Sequence, residues 1–365
     1  MSPSTVVVTG GAGFIGCAIA PGLLASVDRV IAVDSLHPQV HPTSMRPAAL
    51  PAEVELVVGD VADGATWERV LEATGPGGPE LIVHLAAETG TGQSLIQSSR
   101  HASANVLGTA RMLDALASRG NRPRRIVLAS SRAVYGEGAW RRTTGEDAGA
   151  VLHPAQRTTA SLADAQWDVP GAEPLPMDSR TVRPNPVSVY AVTKLAQEQL
   201  LRVWASSFGV EAAILRLQNV YGPGQAMANP YTGIMTLFCR YAREGRSIPL
   251  YEDGQVRRDF VLIDDVAAAV LAATLGEAVS PDAIDIGSGQ HQTIATAARA
   301  IARAYGAPEP HVTGAFREGD VRHAFADITQ AREVLGWEPC HDLETGVARL
   351  VAWIEDQDEV PPLTA

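Results

Sequence analysis

With 365 residues, 46% of them hydrophobic, the chain can bury a large core in one big or two ordinary domains. Its 41 acidic residues outweigh 29 basic ones, and the formal net charge of −12 opposes nonspecific attraction to nucleic acid or to an anionic membrane surface. The opening MSPSTVVVTG lacks a basic start and a long apolar core, and the longest apolar run, Val266 to Leu275, is too short to span a bilayer. Three widely spaced cysteines, Cys17, Cys239 and Cys340, indicate neither a disulfide framework nor a zinc site. The expectation is a soluble, cytoplasmic protein without a metal.

Taken in chain order, TVVVTG, RVIAVDS, VELVVGD, ELIVHLAA and RRIVLASS read as strands separated by helical patterns, one of them from about His101 to Ser118. That alternation predicts βαβ units and an α/β fold, a doubly wound parallel sheet covered on both faces. The rhythm breaks over residues 137–187, rich in Gly, Pro, Thr and Ala, which exceed the roughly 12–15 residues of an ordinary loop and form either a substrate-covering flap or a mobile insertion. A helix follows Ser188, then VEAAILRLQNVYG as a strand, a Gly- and Pro-rich loop, a helix from about Gly233, the short strand SIPLY, and RRDFVLIDDVAAAVLAATL as strand then helix. The division expected is a first domain of residues 1–221, with 259–287 returning to it. A smaller mixed α/β domain of 222–258 and 288–365 packs on the sheet's carboxyl edge.

TGGAGFIG, Thr9 to Gly16, follows an apolar strand and opens a helix, the setting of a dinucleotide-binding turn. Gly10 permits the tight turn, Gly13 lets the backbone approach a pyrophosphate, Gly16 allows close helix packing, and the helix start offers free N–H groups and a positive dipole. Asp34 ends the next strand, where its carboxylate accepts the adenosine ribose hydroxyls. It repels a 2′-phosphate, and Ser35, Leu36 and His37 supply no arginine to hold one, so NAD is favoured over NADP. Pro21-Gly22 is expected to kink or shorten the first helix. Asp60 and Val61, ending VELVVGDV, are placed to face the adenine, with helix capping an equal alternative for Asp60.

SVYAVTKLAQE holds the chain's one lysine, Lys194, against an otherwise all-arginine set of cations. Tyr190 lies four residues earlier, one turn away on the same helix face. An ammonium beside a phenol stabilises the phenolate, which makes Tyr190 usable as a general base.

Together with HLAA (His84 to Ala87), NVLGT (Asn105 to Thr109), SSRAVYG (Ser130 to Gly136), NVYGPGQ (Asn219 to Gln225) and RRDF (Arg257 to Phe260), these motifs make the chain resemble, over nearly its whole length, the extended short-chain dehydrogenase/reductases of the NAD-dependent epimerase/dehydratase family, enzymes of sugar nucleotides. The resemblance implies a Rossmann sheet with a smaller substrate-binding domain, and Ser131, with Ser130 the second candidate, as the hydroxyl that relays protons beside Tyr190 and Lys194. Phe14, Ile15, Leu85, Ala86 and Ala87 would line the NAD site. Asn105 would hold a helix and a cofactor ribose, and Lys194 the nicotinamide ribose. Asn219, Arg258, Arg317 and Asp320 would hold the substrate's diphosphate and nucleoside. Glu88, Thr89 and Ser94 would either contact the hexose or only shape their loop. A homodimer is implied, through helices beginning near His101 and Ser188.

Family dehydratases carry Asp-Glu directly after the catalytic Thr; here Arg132 and Ala133 stand there, so elimination of water has no evident acid and base. A 4-epimerase and a 4-ketoreductase need the same Ser, Tyr and Lys. Asp34 disfavours the NADPH that a reductase commonly consumes, which favours epimerisation, and SSRAVYGEG and the late GDVRHAFADITQAREVLGW resemble bacterial 4-epimerases of dTDP-6-deoxyhexoses. The intact Ser131, Tyr190 and Lys194 set speaks against a silent cofactor sensor.

Overall fold

The computed structural model describes residues 4–41, 43–120, 122–227, 233–358, 360 and 363. Seven strands, β1 (Thr5–Thr9), β2 (Arg29–Asp34), β3 (Glu55–Val58), β4 (Leu81–His84), β5 (Arg125–Ser131), β6 (Glu211–Leu217) and β7 (Ile284–Ile286), form one parallel sheet in the order β7-β6-β5-β4-β1-β2-β3. Every residue of β1 is buried, because alternate side chains enter different cores. Val6 and Val8 pack with Ile19 and Leu23 of α1 (Phe14–Leu24) and with Val266 and Val270 of a late helix, Ile263–Leu275. Val7 packs with Trp67 of α2 (Gly64–Thr74), Met112 of α3 (Gly108–Arg119) and Leu201 of α4 (Val189–Phe208). The strand order reverses between β1 and β4, and the region beyond the strands' carboxyl ends at such a reversal is where open sheets of this kind bind ligands.

Three expectations need correction. The first helix is not interrupted: α1 runs through Pro21 to Leu24, since the missing N–H costs only one bond near the helix end, and Gly22 lets α1 press on Leu271, whose Cδ1 would lie 2.4 Å from a Cβ. The single helix expected from His101 is a series, with short helices Thr91–Ile96 and Ser98–His101 leading into a π-helical stretch, Ala102–Leu107, and then α3. VEAAILRLQNVYG breaks at Gln218: β6 stays in the main sheet, while Asn219–Tyr221 pairs with Phe260–Leu262.

A second core collects Phe238, Leu250, Phe260, Ile301 and Leu350 from helices Ile234–Arg243, Ile294–Tyr305 and Leu343–Glu355 and the strands between them. Residues 137–187 carry structure of their own, an antiparallel sheet of Trp140–Arg142 between Val151–Leu152 and Ala172–Pro174, and a helix, Thr159–Ala163. Charge pins this segment down. The guanidinium of Arg322, 1% exposed, donates to both oxygens of Asp168 at 2.9 and 3.1 Å, to both of Asp253 at 2.7 and 2.8 Å and to Glu252 at 2.9 Å. Arg157 pairs with Glu137 at 3.2 Å and Glu252 at 2.9 Å.

Beneath the carboxyl end of β5 lies a buried ion pair. Arg216 donates from Nε and Nη2 to the Glu198 carboxylate at 2.9 and 2.7 Å, and the same carboxylate accepts from Ser130 Oγ at 2.5 Å. The guanidinium also sits 4.7 Å from the ring centre of Tyr135, whose hydroxyl donates to Asp285 at 2.7 Å. Burial raises the Asp285 carboxyl to about 8. Removing one member of such a pair strands its partner's charge in the core. Arg216→Met is therefore expected to lower stability by about 3–5 kcal/mol, read as a fall in the urea midpoint; a wild-type midpoint would show that the pair is dispensable.

Candidate active site

The turn after β1 is built for close approach. Gly10 has φ +66°, and a Cβ there would stand 2.8 Å from the backbone N of Ala86, so the turn lies against the end of β4. A Cβ on Gly16 would meet Gly11 O at 2.5 Å. Gly13 is the N-cap of α1 and brings no side-chain cap, which leaves first-turn N–H groups of Phe14 and Ile15 for an anion. Asp34 closes the turn from the next strand, accepting from Ala12 N at 3.1 Å and from Leu36 N at 2.9 Å. Each of its oxygens keeps a lone pair for a sugar hydroxyl. Leu36 is held at φ +50°, a conformation unusual for a branched side chain, two residues after this carboxylate. The exposed Asp60 accepts from Ala62 N at 2.8 Å, and it is Asp63 that caps α2. Val61 is buried against Gly108. Leu85, Ala86 and Ala87 continue β4 past Thr9, with Ala86 N donating to Thr9 Oγ1 at 3.2 Å. These features fit an adenine dinucleotide, with its phosphates on the turn and its adenosine ribose on Asp34.

Ser131, Tyr190 and Lys194 meet at the carboxyl end of β5. Ser131 ends the strand and caps the 3-10 turn Arg132–Tyr135, and its hydroxyl hydrogen-bonds with that of Tyr190, which lies in the first turn of α4 behind the N-cap Ser188. Burial raises the Tyr190 phenol; the Ser131 hydrogen bond and the charge of Arg132 pull it down. Lys194 is on the same helix face, one turn on, and its Nζ donates to Ala129 O at 2.9 Å. Burial lowers the Lys194 ammonium to about 7 against the support of Glu198.

Asn105 locks the neighbouring loop: its Oδ1 accepts from Glu88 N at 2.8 Å, and its Nδ2 donates to Glu88 O at 3.0 Å and to Thr193 Oγ1 at 2.9 Å. Glu88 is engaged by Arg100 at 2.8 Å, and Thr89 O faces the His101 ring nitrogen at 3.4 Å. Ser94 is fully buried and donates to Thr91 O at 2.6 Å. These contacts hold the loop that carries all three residues.

Arg258 is 7% exposed and is held by backbone carbonyls, donating to Arg257 O at 2.9 Å, Arg322 O at 3.2 Å and Val321 O at 2.8 Å. Among the described residues it has no carboxylate within ion-pair distance. Arg132 likewise has none, and its Nε donates to Asn219 Oδ1 at 3.0 Å. Asp320, on the same side, attracts both guanidiniums, and Arg157 Nη2 donates to its carbonyl at 2.8 Å. Two guanidiniums without an ion-pair partner in one cleft invite a dianionic ligand. Arg317 stands apart, exposed, its guanidinium 5.0 Å from the ring centre of Tyr251. Sequence reading gave Arg132 only the negative role of a missing carboxylate. The signal available was a charged residue placed directly after the serine.

Residues 6–287 match the NAD dependent epimerase/dehydratase family. The chain is 52% identical over 352 residues to a dTDP-L-rhamnose 4-epimerase of Burkholderia thailandensis, covering 96% of this chain and 95% of that protein. Its structure is similar to that of the Thermotoga maritima UDP-glucose 4-epimerase with UDP-glucose, at a TM-score of 0.78 and 27% identity over 96% of this chain and 98% of that one. It is also similar to the Thermus thermophilus UDP-glucose 4-epimerase in complex with NAD, at a TM-score of 0.74 and 26% identity over 96% and 99% of the two chains.

The lowered Lys194 pKa has a sign that can be measured. Between about 7 in the folded chain and the ordinary lysine value near 10.4, the unfolded state binds the extra proton, so the charged form's cost is full below pH 7 and fades as the pH rises through that window. Relative to Lys194→Met, the cofactor-free protein is expected to gain stability from pH 7 to pH 10 in denaturant titrations. Parallel pH curves for the two proteins would contradict the burial of a charged lysine.

Proposed function

We propose a substrate and a division of labour for this chain, which belongs to the NAD dependent epimerase/dehydratase family and is an NAD-dependent nucleotide-sugar 4-epimerase: the substrate is a dTDP-6-deoxyhexose of the L-rhamnose type, and Tyr190 is the base at its C4 hydroxyl. The observation that carries the second half is the Ser131–Tyr190 hydroxyl pair at the carboxyl end of β5. The 52% identity to a dTDP-L-rhamnose 4-epimerase supports the first.

Bound NAD supplies reversible acceptance of hydride at C4. Gly10, Gly13 and Gly16, with the N–H groups of Phe14 and Ile15, hold its diphosphate, and Asp34 its adenosine ribose. Asp60 and Val61 border the adenine; Leu85, Ala86, Ala87, Asn105 and Lys194 line the remainder. Tyr190 removes the C4 hydroxyl proton, Ser131 passes it along the hydrogen bond between them, and the same pair returns it once the keto sugar has presented its other face. Arg258, with Asn219 and Asp320, holds the nucleoside diphosphate, which lets the hexose turn while its anchor stays fixed. With Arg132 and Ala133 in place of a carboxylate pair, the site has no group to eliminate water.

In this reading residues 1–221 and 259–287 carry NAD, and 222–258 with 288–365 carry the substrate. The insertion 137–187 forms a wall of the substrate cleft, supported by the Arg157 contact to Asp320. The chain acts as a cytoplasmic homodimer. Val192 and Val203, 52% and 67% exposed on one face of α4, and Leu107 just before α3, 43% exposed, are the apolar positions a four-helix interface would cover. Among the described residues no helix is long and apolar enough to cross a membrane.

Purified enzyme should interconvert dTDP-L-rhamnose and its C4 epimer with no added cofactor, and Tyr190→Phe should cost about 10²–10⁴ in kcat while NAD stays bound. An absolute requirement for NADPH with net reduction of a 4-keto sugar would replace this reading with that of a reductase. Light scattering should give the mass of a dimer, and Val203→Asp should shift it toward the monomer; a monomeric parent protein would refute the interface.

A further inference from the structure

We propose that the insertion 137–187 braces the nucleotide site: through the positioning residues Arg157 and Thr159 it holds the loop 316–322 where Asp320 meets the nucleoside diphosphate, and it tightens when that ligand binds. The inference rests on the reading of Asp320 as a substrate residue and goes beyond it, because it assigns the placement of that residue to a segment outside the main sheet. Residues 313–322 contain neither strand nor helix. Among the described residues, the stretch from 316 to 321 makes one main-chain hydrogen bond, Asp320 N to Arg317 O at 3.4 Å. Chain so sparsely tied does not fix a side chain by itself.

The insertion supplies what the loop lacks. Arg157 Nη2 donates to Asp320 O at 2.8 Å, while Nε and Nη1 of the same guanidinium are taken by Glu137 at 3.2 Å and Glu252 at 2.9 Å. A planar fork with all three nitrogens committed has one position, so the Asp320 carbonyl has one too. Thr159 Oγ1 donates to Glu318 at 2.6 Å, and the Trp167 and Phe316 rings lie 6.4 Å apart between centres. The outer ties are wet: Thr159 and Glu318 are exposed, and Asp168 is 51% exposed where it meets Arg322. Arg322 keeps Glu252 and Asp253 when Asp168 leaves, so the outer part of the insertion can loosen without stranding a buried charge. A ligand that needs Asp320 in its held position binds the braced form better, and by linkage it strengthens the brace.

The test uses NAD-loaded enzyme with dTDP as the probe. Arg157→Lys keeps the charge between Glu137 and Glu252 but cannot span all three partners; it should weaken dTDP binding and raise KM by about 10–100-fold, with kcat within about threefold and NAD content unchanged. Thr159→Val, on the exposed side of the insertion, should act in the same direction by about 3–10-fold. In the parent enzyme dTDP should slow hydrogen exchange over residues 154–168 as well as 316–322, and in Arg157→Lys the response of 154–168 should be lost. Parent-like dTDP affinity in both variants, or a parent insertion whose exchange ignores dTDP, would overturn the proposal. Loss of kcat and NAD together with dTDP would overturn it too, as the mark of a general structural role. A parent enzyme that binds UDP but not dTDP would overturn the dTDP reading alone, and the same comparisons made with UDP then decide the brace. Binding of neither would overturn both.

Discussion

A proton on His84 is forbidden by where it lies, and the site is organised around that neutrality. Completely buried at the end of β4, the imidazole is pushed down to about 3 by burial and by the charge of Lys194. Its hydrogen bonds follow from those of its neighbours. Thr109 Oγ1 gives its proton to Asn105 O at 2.6 Å, so His84 must donate to it from Nε2 at 2.9 Å; Nδ1 is then left to accept from Thr9 Oγ1 at 2.6 Å. Thr9 precedes the glycine turn, Asn105 clamps the Glu88 backbone, and its Nδ2 reaches Thr193 on α4, whose Oγ1 donates to Tyr190 O at 2.8 Å. One line of satisfied groups joins the glycine turn to the helix that carries Tyr190. In a buried network each member fixes the next, so the reacting groups are placed without help from solvent.

Around this neutral spine the charges are arranged under stress. Lys194 is buried enough to hold its proton only weakly, and Arg132 and Arg258 repel each other across the cleft with no carboxylate at ion-pair distance among the described residues. A net charge of −12 makes such a concentration of cations conspicuous. An anionic ligand held between them would offset that cost, and its binding would include relief of repulsion already stored in the fold. Two buried arginines elsewhere are treated differently: Arg216 is paired with Glu198, and Arg322 with Asp168, Glu252 and Asp253, and both serve structure.

What could be read from residues alone divides along the same line. The β-branched runs and the glycine turn are governed by periodicity and backbone sterics, which are local, and they predicted the parallel sheet and its cofactor edge. The i, i+4 spacing of Tyr190 and Lys194 was legible too, but a shared helix face does not say where a four-carbon stem ends, and Lys194 ends at Ala129. Pro21 misled because propensity weighs a residue without its partner: Gly22 lets the same turn of α1 pack closely on Leu271. The placement of Arg132 was out of reach, since it depends on the distant Asn219 and on the company of Arg258.

The insertion poses the same problem in reverse. Ser131 and Tyr190 must touch, yet 58 intervening residues separate them in the chain. The structure reconciles the two demands by bringing the insertion's ends together. Gly136, at φ +60°, lies so close to the other end that a Cβ would sit 2.1 Å from Asn185 O, and Asn185 N donates to Val134 O at 2.9 Å. Chain that leaves and re-enters at one point imposes no displacement on the elements it joins, and its closure entropy grows only slowly with length. The ion pairs of Arg157 and Arg322 then use that freedom to set the segment against the second core. Length there leaves the Ser131–Tyr190 contact under the control of β5, α4 and the turn at Gly136.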